Sequence, residues 1–137
     1  MNSNEKLAIH ELLYKSAYGY DSRTIEMLAN CYAEEAVMTM CIADGELIGP
    51  FEGHKEIMKM MTGAMESQTD KRLHNISNVF FEKEGDEAAT VLSSLTLTAV
   101  ENGSIQLLTT GIYRDEVVKV GGSWKILKRH LDLDLPF

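Results

Sequence analysis

The chain has 137 residues, of which 45% are apolar and 25% charged. These are ordinary values for one folded domain with a sizeable core, and they exclude a disordered chain. A formal charge of −8 with no Lys/Arg cluster repels phosphate backbones and anionic surfaces, so neither nucleic acid nor a membrane is an expected partner.

The N-terminus, MNSNEKLAIHELL, has no basic segment ahead of an apolar run, so no signal peptide is expected. No apolar run approaches the ~18–20 residues of a membrane span, and the expected location is cytoplasmic. Two cysteines, Cys31 and Cys41, are too few for a disulfide framework. Free thiols are the expectation and a single bridge is the alternative.

Leu7, Ile9, Leu12, Leu13, Ala17 and Tyr18 are mostly three or four apart, which predicts a helix over about residues 4–18. Gly19 is its expected end. Ile25, Leu28, Ala29 and Tyr32 form the stripe of a second helix. The segment AVMTMCI fits a short strand, and DGELIGP reads as loop. A third helix runs from about His54 to Ser67 on Ile57, Met61, Ala64 and Met65.

Beyond that point the period changes to two. LHNISNVFFE, AATVLSSLTLTAV, SIQLLTTGIYRDEVV and SWKILKRHLDLDL are four strands, separated by the turn-forming EGDE, ENG and KVGG. Three helices and a small strand followed by an antiparallel meander predict an α+β fold over residues 1–137. Its strongly curved, mainly antiparallel sheet is expected as a cone-shaped barrel, with the helices enclosing an apolar pocket.

Three ionisable residues stand out. Asp21 opens the second helix, where an aspartate serves as N-cap, or it works on a pocket, or both. His74 shares a strand face with Ile76, Asn78 and Phe80 by alternation, so His74 and Asn78 are candidate polar groups in an apolar chamber. Arg129 shares its face with Lys125, Leu127, Leu131, Leu133 and Leu135, opposite Trp124 and Ile126. An arginine among leucines needs an anion or a place at the rim. His10, His54 and His130 show no mutual metal-ligand spacing, so no metal site is expected. Met38, Met40, Met58, Met60, Met61 and Met65 fill core positions or form an adaptable pocket wall.

The order of these segments resembles the SnoaL-like family of the nuclear transport factor 2-like superfamily. The resemblance runs from YDSRTIEMLANCYAEEAVM through IGPFEGHKEIM and RLHNISNV to GIYRDEVVKVGGSWKILKR. Two enzyme types of that group, scytalone dehydratase and hexachlorocyclohexane dehydrochlorinase, are similar in an Asp after the first helix and a His early in the first long strand. The resemblance implies that Asp21 and His74 are a catalytic pair. It also implies that Tyr20 and Arg129 bind substrate. Tyr14 and Tyr18 lie one helical turn apart and are further candidate pocket residues by that spacing.

The sequence departs from both enzymes. LSSLTLTAV lacks the dehydratase's second pocket histidine, Met38–Met40 stand near its other tyrosine, and Ser16 stands where the dehydrochlorinase has a lysine. The implied activity is a cofactor-independent elimination or isomerisation of a small, mostly apolar cyclic molecule. A ligand-binding domain, or an accessory subunit like the small subunit of aromatic-ring dioxygenases, is the alternative. The outer face of so long a sheet predicts a homodimer or homotrimer.

Overall fold

The computed structural model describes residues 1–137. In chain order it comprises α1 (Ser3–Asp21), α2 (Ile25–Ala29), β1 (Tyr32–Ile42), β2 (Ile48–Glu52), α3 (His54–Ser67), β3 (Lys71–Lys83), β4 (Ala88–Glu101), β5 (Ser104–Val120) and β6 (Ser123–Leu133). One six-stranded sheet has the order β2-β1-β6-β5-β4-β3. Only the β1–β6 pair is parallel. The sheet curves but does not close, because β2 and β3 remain as separate edges. The α+β expectation holds, and the barrel is open.

The meander is as the turn chemistry predicts. Asn102 and Gly103 join β4 to β5 with positive φ at both residues, and Gly121 and Gly122 do the same between β5 and β6. Such left-handed pairs match the twist of the flanking strands. The helices lie across the concave face. Ile9, Leu12 and Leu13 of α1, Leu28 of α2, and Ile57, Met61 and Met65 of α3 pack on β1 and the inner faces of β4 to β6. A smaller cluster of Leu95, Leu97, Tyr113, Leu131 and Leu133 lies further along the sheet. No helix is long and apolar enough to cross a membrane.

Several local expectations are corrected. Gly19 does not end α1, which continues to Asp21. A Cβ on Gly19 would lie 2.9 Å from the Leu28 backbone nitrogen, so this glycine is what lets α2 approach α1. The second helix is only five residues, is preceded by Thr24 as its cap position, and stops before Tyr32. Tyr32 already belongs to β1, where exposed Glu34 and Glu35 break the alternation that would have revealed the strand's start. DGELIGP is not all loop, since Ile48–Glu52 pairs with β1 as a short edge strand. Pro50 is tolerated there because an edge position needs no donated hydrogen bond.

Two bulges shift the strand faces. Asn78 adopts φ 51° at a register break between Ser77 and Phe80. The extra residue turns Asn78 and Phe80 outward, while Val79 and Phe81 join the core. On β6, Ile126 pairs with Val117 and Lys128 with Glu116, leaving Leu127 extra. Trp124 and Ile126 therefore face inward together with Arg129, Leu131 and Leu133.

The two helical glycines give opposite expectations. Gly19→Ala should lose about 1–3 kcal/mol in urea unfolding through the clash with α2. Gly63→Ala, on α3 with open space around its Cβ position, should gain up to ~1 kcal/mol from helix propensity. Equal effects at both sites would contradict the close approach.

Candidate active site

Asp21 lies at the last turn of α1, directly behind the start of β3. Its Oδ2 accepts the backbone N–H of His74 at 2.8 Å, and its Oδ1 lies 2.5 Å from His74 Nδ1. Both oxygens of one carboxylate thus hold one residue, by its backbone and by its ring. An ionised carboxylate only accepts, so this bond requires a proton on Nδ1. Nε2 is then left as the lone-pair nitrogen, or as a second N–H if the ring is protonated. Asp21 caps no helix, because its carboxylate is spent on β3.

His74 faces a cavity of about 110 Å³ between α1, α3 and the sheet. Met38, Met40, Met60 and Met61 form much of its wall with Ala17, Ala64 and Leu131. That volume is on the scale of a one-ring molecule. Tyr20 packs edge-on against the His74 ring, with centroids 4.9 Å apart, and its hydroxyl donates to Gln68 Oε1 at 3.0 Å. Burial raises the Tyr20 phenol above its ordinary value, so it stays a neutral donor.

Arg129 points inward and lines the same cavity. It does so as half of a buried ion pair with Asp115, through Nε–Oδ1 at 2.8 Å and Nη2–Oδ2 at 3.1 Å. Nη1 donates to Ser16 Oγ at 3.3 Å and to the Tyr32 hydroxyl at 3.2 Å. Burial pulls this guanidinium's pKa down, but the Asp115 carboxylate outweighs it and holds it well above the ordinary value. The Tyr113 ring stacks 4.3 Å from the guanidinium. The Tyr113 hydroxyl has no hydrogen-bond partner in the protein, and burial keeps it protonated by raising its pKa.

Three expected pocket residues lie elsewhere. Tyr14 and Tyr18 are one turn apart on α1, but on its outer side, and are 47% and 63% exposed. The buried stripe of α1 is centred on Ile9, Leu13, Ser16 and Ala17, which leaves those tyrosines facing solvent. Asn78 is turned out by its bulge. Sequence reasoning missed Asp115, Tyr113, Gln68 and Arg72. Alternation along β5 from Tyr113 through Asp115 to Val117 would have placed Asp115 inside.

The other histidines bond locally. His10 Nδ1 meets Lys6 O and His54 Nε2 meets Ala29 O. His130 lies between Thr39 and Asp132, and with Cys41 and Asp132 it forms a mixed cluster whose donor atoms lie within 4.8 Å. Histidine spacing alone could not reveal that cluster, which spans β1 and β6. Cys31 and Cys41 are both free. A larger open groove of about 1100 Å³ runs along the outer side of α1 and α2 to the β5–β6 turn, and contains neither Asp21 nor His74.

Residues 2–130 match the SnoaL-like domain. The chain belongs to this family. No curated protein matches it. Among solved structures, a Nostoc punctiforme protein of unknown function with a cystatin-like fold superposes with a TM-score of 0.83 at 20% identity, over 99% of this chain and 97% of its own. The β subunit of the benzoate 1,2-dioxygenase of Burkholderia mallei superposes at 0.77 and 20% identity, over 91% and 87%. A Catenulispora acidiphila protein solved in complex with S-DNPA superposes at 0.81 and 14% identity, over 97% and 96%. At these identities the likeness is one of fold, and a SnoaL-like fold carries more than one role.

The clamp makes a prediction specific to this SnoaL-like chain. In Asp21→Asn, the single amide oxygen can keep the His74 backbone N–H, but the amide NH₂ then faces Nδ1. Two donors cannot share a bond, so the proton should move to Nε2. Long-range ¹H–¹⁵N spectra should show the Nδ1–H tautomer of neutral His74 in the wild type and the Nε2–H tautomer in the variant. The same tautomer in both would contradict the clamp.

Proposed function

We propose that this protein is a lyase or isomerase that acts without a cofactor on a small, mostly apolar cyclic molecule, with His74 as general base. The observation that carries this reading is the division of the His74 ring. Nδ1 is held by Asp21, and the side chain lines an apolar cavity. His74 Nε2 takes a proton from a substrate carbon. The C–H electron pair moves toward an adjacent carbonyl, and an enolate forms. Departure of a β-hydroxyl as water, protonated by the Nε2–H that His74 has just gained, then completes an elimination and restores the base. Return of the proton from Nε2 to another carbon completes an isomerisation.

Asp21 is a positioning residue that fixes the tautomer and stabilises the imidazolium as it forms. Tyr113, with its uncommitted hydroxyl, is the donor best placed by chemistry to meet the enolate oxygen. Tyr20 and Arg129 wall the site, with their polar atoms directed to Gln68 and to Asp115, Ser16 and Tyr32. A cytoplasmic location accords with the two free thiols.

A second reading is an accessory subunit or binding domain, favoured by exposed apolar side chains on the sheet: Leu73, Phe80 and Ile112 are 46%, 56% and 46% exposed. In the enzyme reading a second copy of this chain covers that face as a homodimer or homotrimer. An obligate complex with a different chain would favour the accessory role.

The test is turnover of a panel of cyclic β-hydroxy ketones and β,γ-unsaturated ketones. His74→Ala should lower the rate of any active substrate by ~10²–10⁴ while leaving the circular-dichroism spectrum unchanged. Undiminished turnover in a folded His74→Ala protein would overturn the assignment.

A further inference from the structure

Most polar side chains lining the cavity are already engaged. Ser16 donates to the Leu13 carbonyl, Tyr20 to Gln68, and Arg129 to Asp115, Ser16 and Tyr32. Arg72 is different. It stands two residues before His74 on β3, so the two side chains leave the strand on the same face. It lines the cavity and is 13% exposed. Its Nε donates to Asp70 Oδ1 at 3.0 Å, while Nη1 and Nη2 have no partner within the protein. The Phe137 ring lies 5.4 Å from the guanidinium carbon.

A guanidinium never loses its charge at ordinary pH, and its two terminal nitrogens form a flat pair of donors matched to an oxyanion. An apolar ligand would displace water from these donors without replacing its hydrogen bonds, whereas an anionic oxygen satisfies them. A protein of net charge −8 also repels anions at long range, so an anion enters here only if a local cation receives it. We infer that Arg72 binds an anionic oxygen of the ligand, so that the pocket takes a one-ring molecule bearing a carboxylate or phenolate group. The anion sits on Nη1 and Nη2, and the ring extends past His74 into the methionine-lined chamber. This rests on the proposed function only for the reaction that follows, not for binding.

The competing view is that Arg72 merely ties the start of β3 to Asp70 and Phe137. Calorimetric titrations separate the two, using benzoate, its neutral isostere benzamide, and the pair 4-nitrophenolate and 4-nitroanisole. The wild type should bind at least one anion roughly tenfold more tightly than its neutral partner. R72Q should abolish that preference and leave neutral binding within about threefold. D70N, which removes the neighbouring negative charge and keeps the cation, should preserve the preference. Benzoate preference identifies a carboxylate ligand, and preference for 4-nitrophenolate alone identifies a single-oxygen anion.

An R72Q protein that still prefers the anion would overturn the inference, as would a wild type that binds neither anion or shows no preference. Loss of catalysis evidence at His74 with the anion preference intact would remove the proposed reaction and leave this binding site standing.

Discussion

One carboxylate organises the site. Asp21 spends one oxygen on the backbone of His74 and the other on its ring, so the end of α1, the start of β3 and the imidazole are fixed by a single group. A backbone bond sets where the strand begins relative to the helix. The ring bond sets which nitrogen is free. Neither alone would fix the residue, because a correctly placed strand still leaves the imidazole free to rotate. Gly19 belongs to the same device, since the close passage of α2 over α1 shapes the turn that follows Asp21.

A second constraint holds the opposite wall. Arg129 and Asp115 face each other across β6 and β5 in direct register, fully enclosed, with Ser16 and Tyr32 taking a third nitrogen. A buried ion pair is weak evidence for net stability, because desolvation offsets much of the attraction. Its value here is geometric. It ties α1, β1, β5 and β6 around one planar group and gives the Tyr113 ring a rigid face to stack on. The chamber thus has polar anchors at its margins and methionine side chains between them, which can adjust to a ligand's outline.

The sequence discloses the helical stripes, the long strands and their turns because each carries a local period or a turn residue. Asp21 and His74 are legible for a related reason: a charged residue at a helix break and a histidine early in a strand are local signals that a family resemblance can align. What stays hidden depends on register. Asn78 is a bulge, and nothing in LHNISNVFFE marks the residue at which alternation slips. Leu127 slips β6 in the same way, which brings Trp124 and Arg129 to one side although alternation separates them. Tyr14 and Tyr18 satisfy helical spacing with each other but not with the stripe that is buried. Asp115 and Arg72 look like surface charges in a strand, and only the cross-strand partner of one and the cavity beside the other give them meaning.

The central claim is that Asp21 leaves His74 with a free nitrogen that can remove a carbon-bound proton inside the cavity. The direct measurement is hydrogen–deuterium exchange at the α-carbons of cyclohexanone and of 4-oxocyclohexane-1-carboxylate, which carries the anion that Arg72 would receive, in D₂O, followed by ¹H NMR with wild-type protein, His74→Gln and Asp21→Asn. The predicted result is exchange of at least one ketone above the buffer rate in the wild type alone, with both variants at background. Exchange that persists unchanged in His74→Gln, or a wild type no faster than buffer with either ketone, would contradict it.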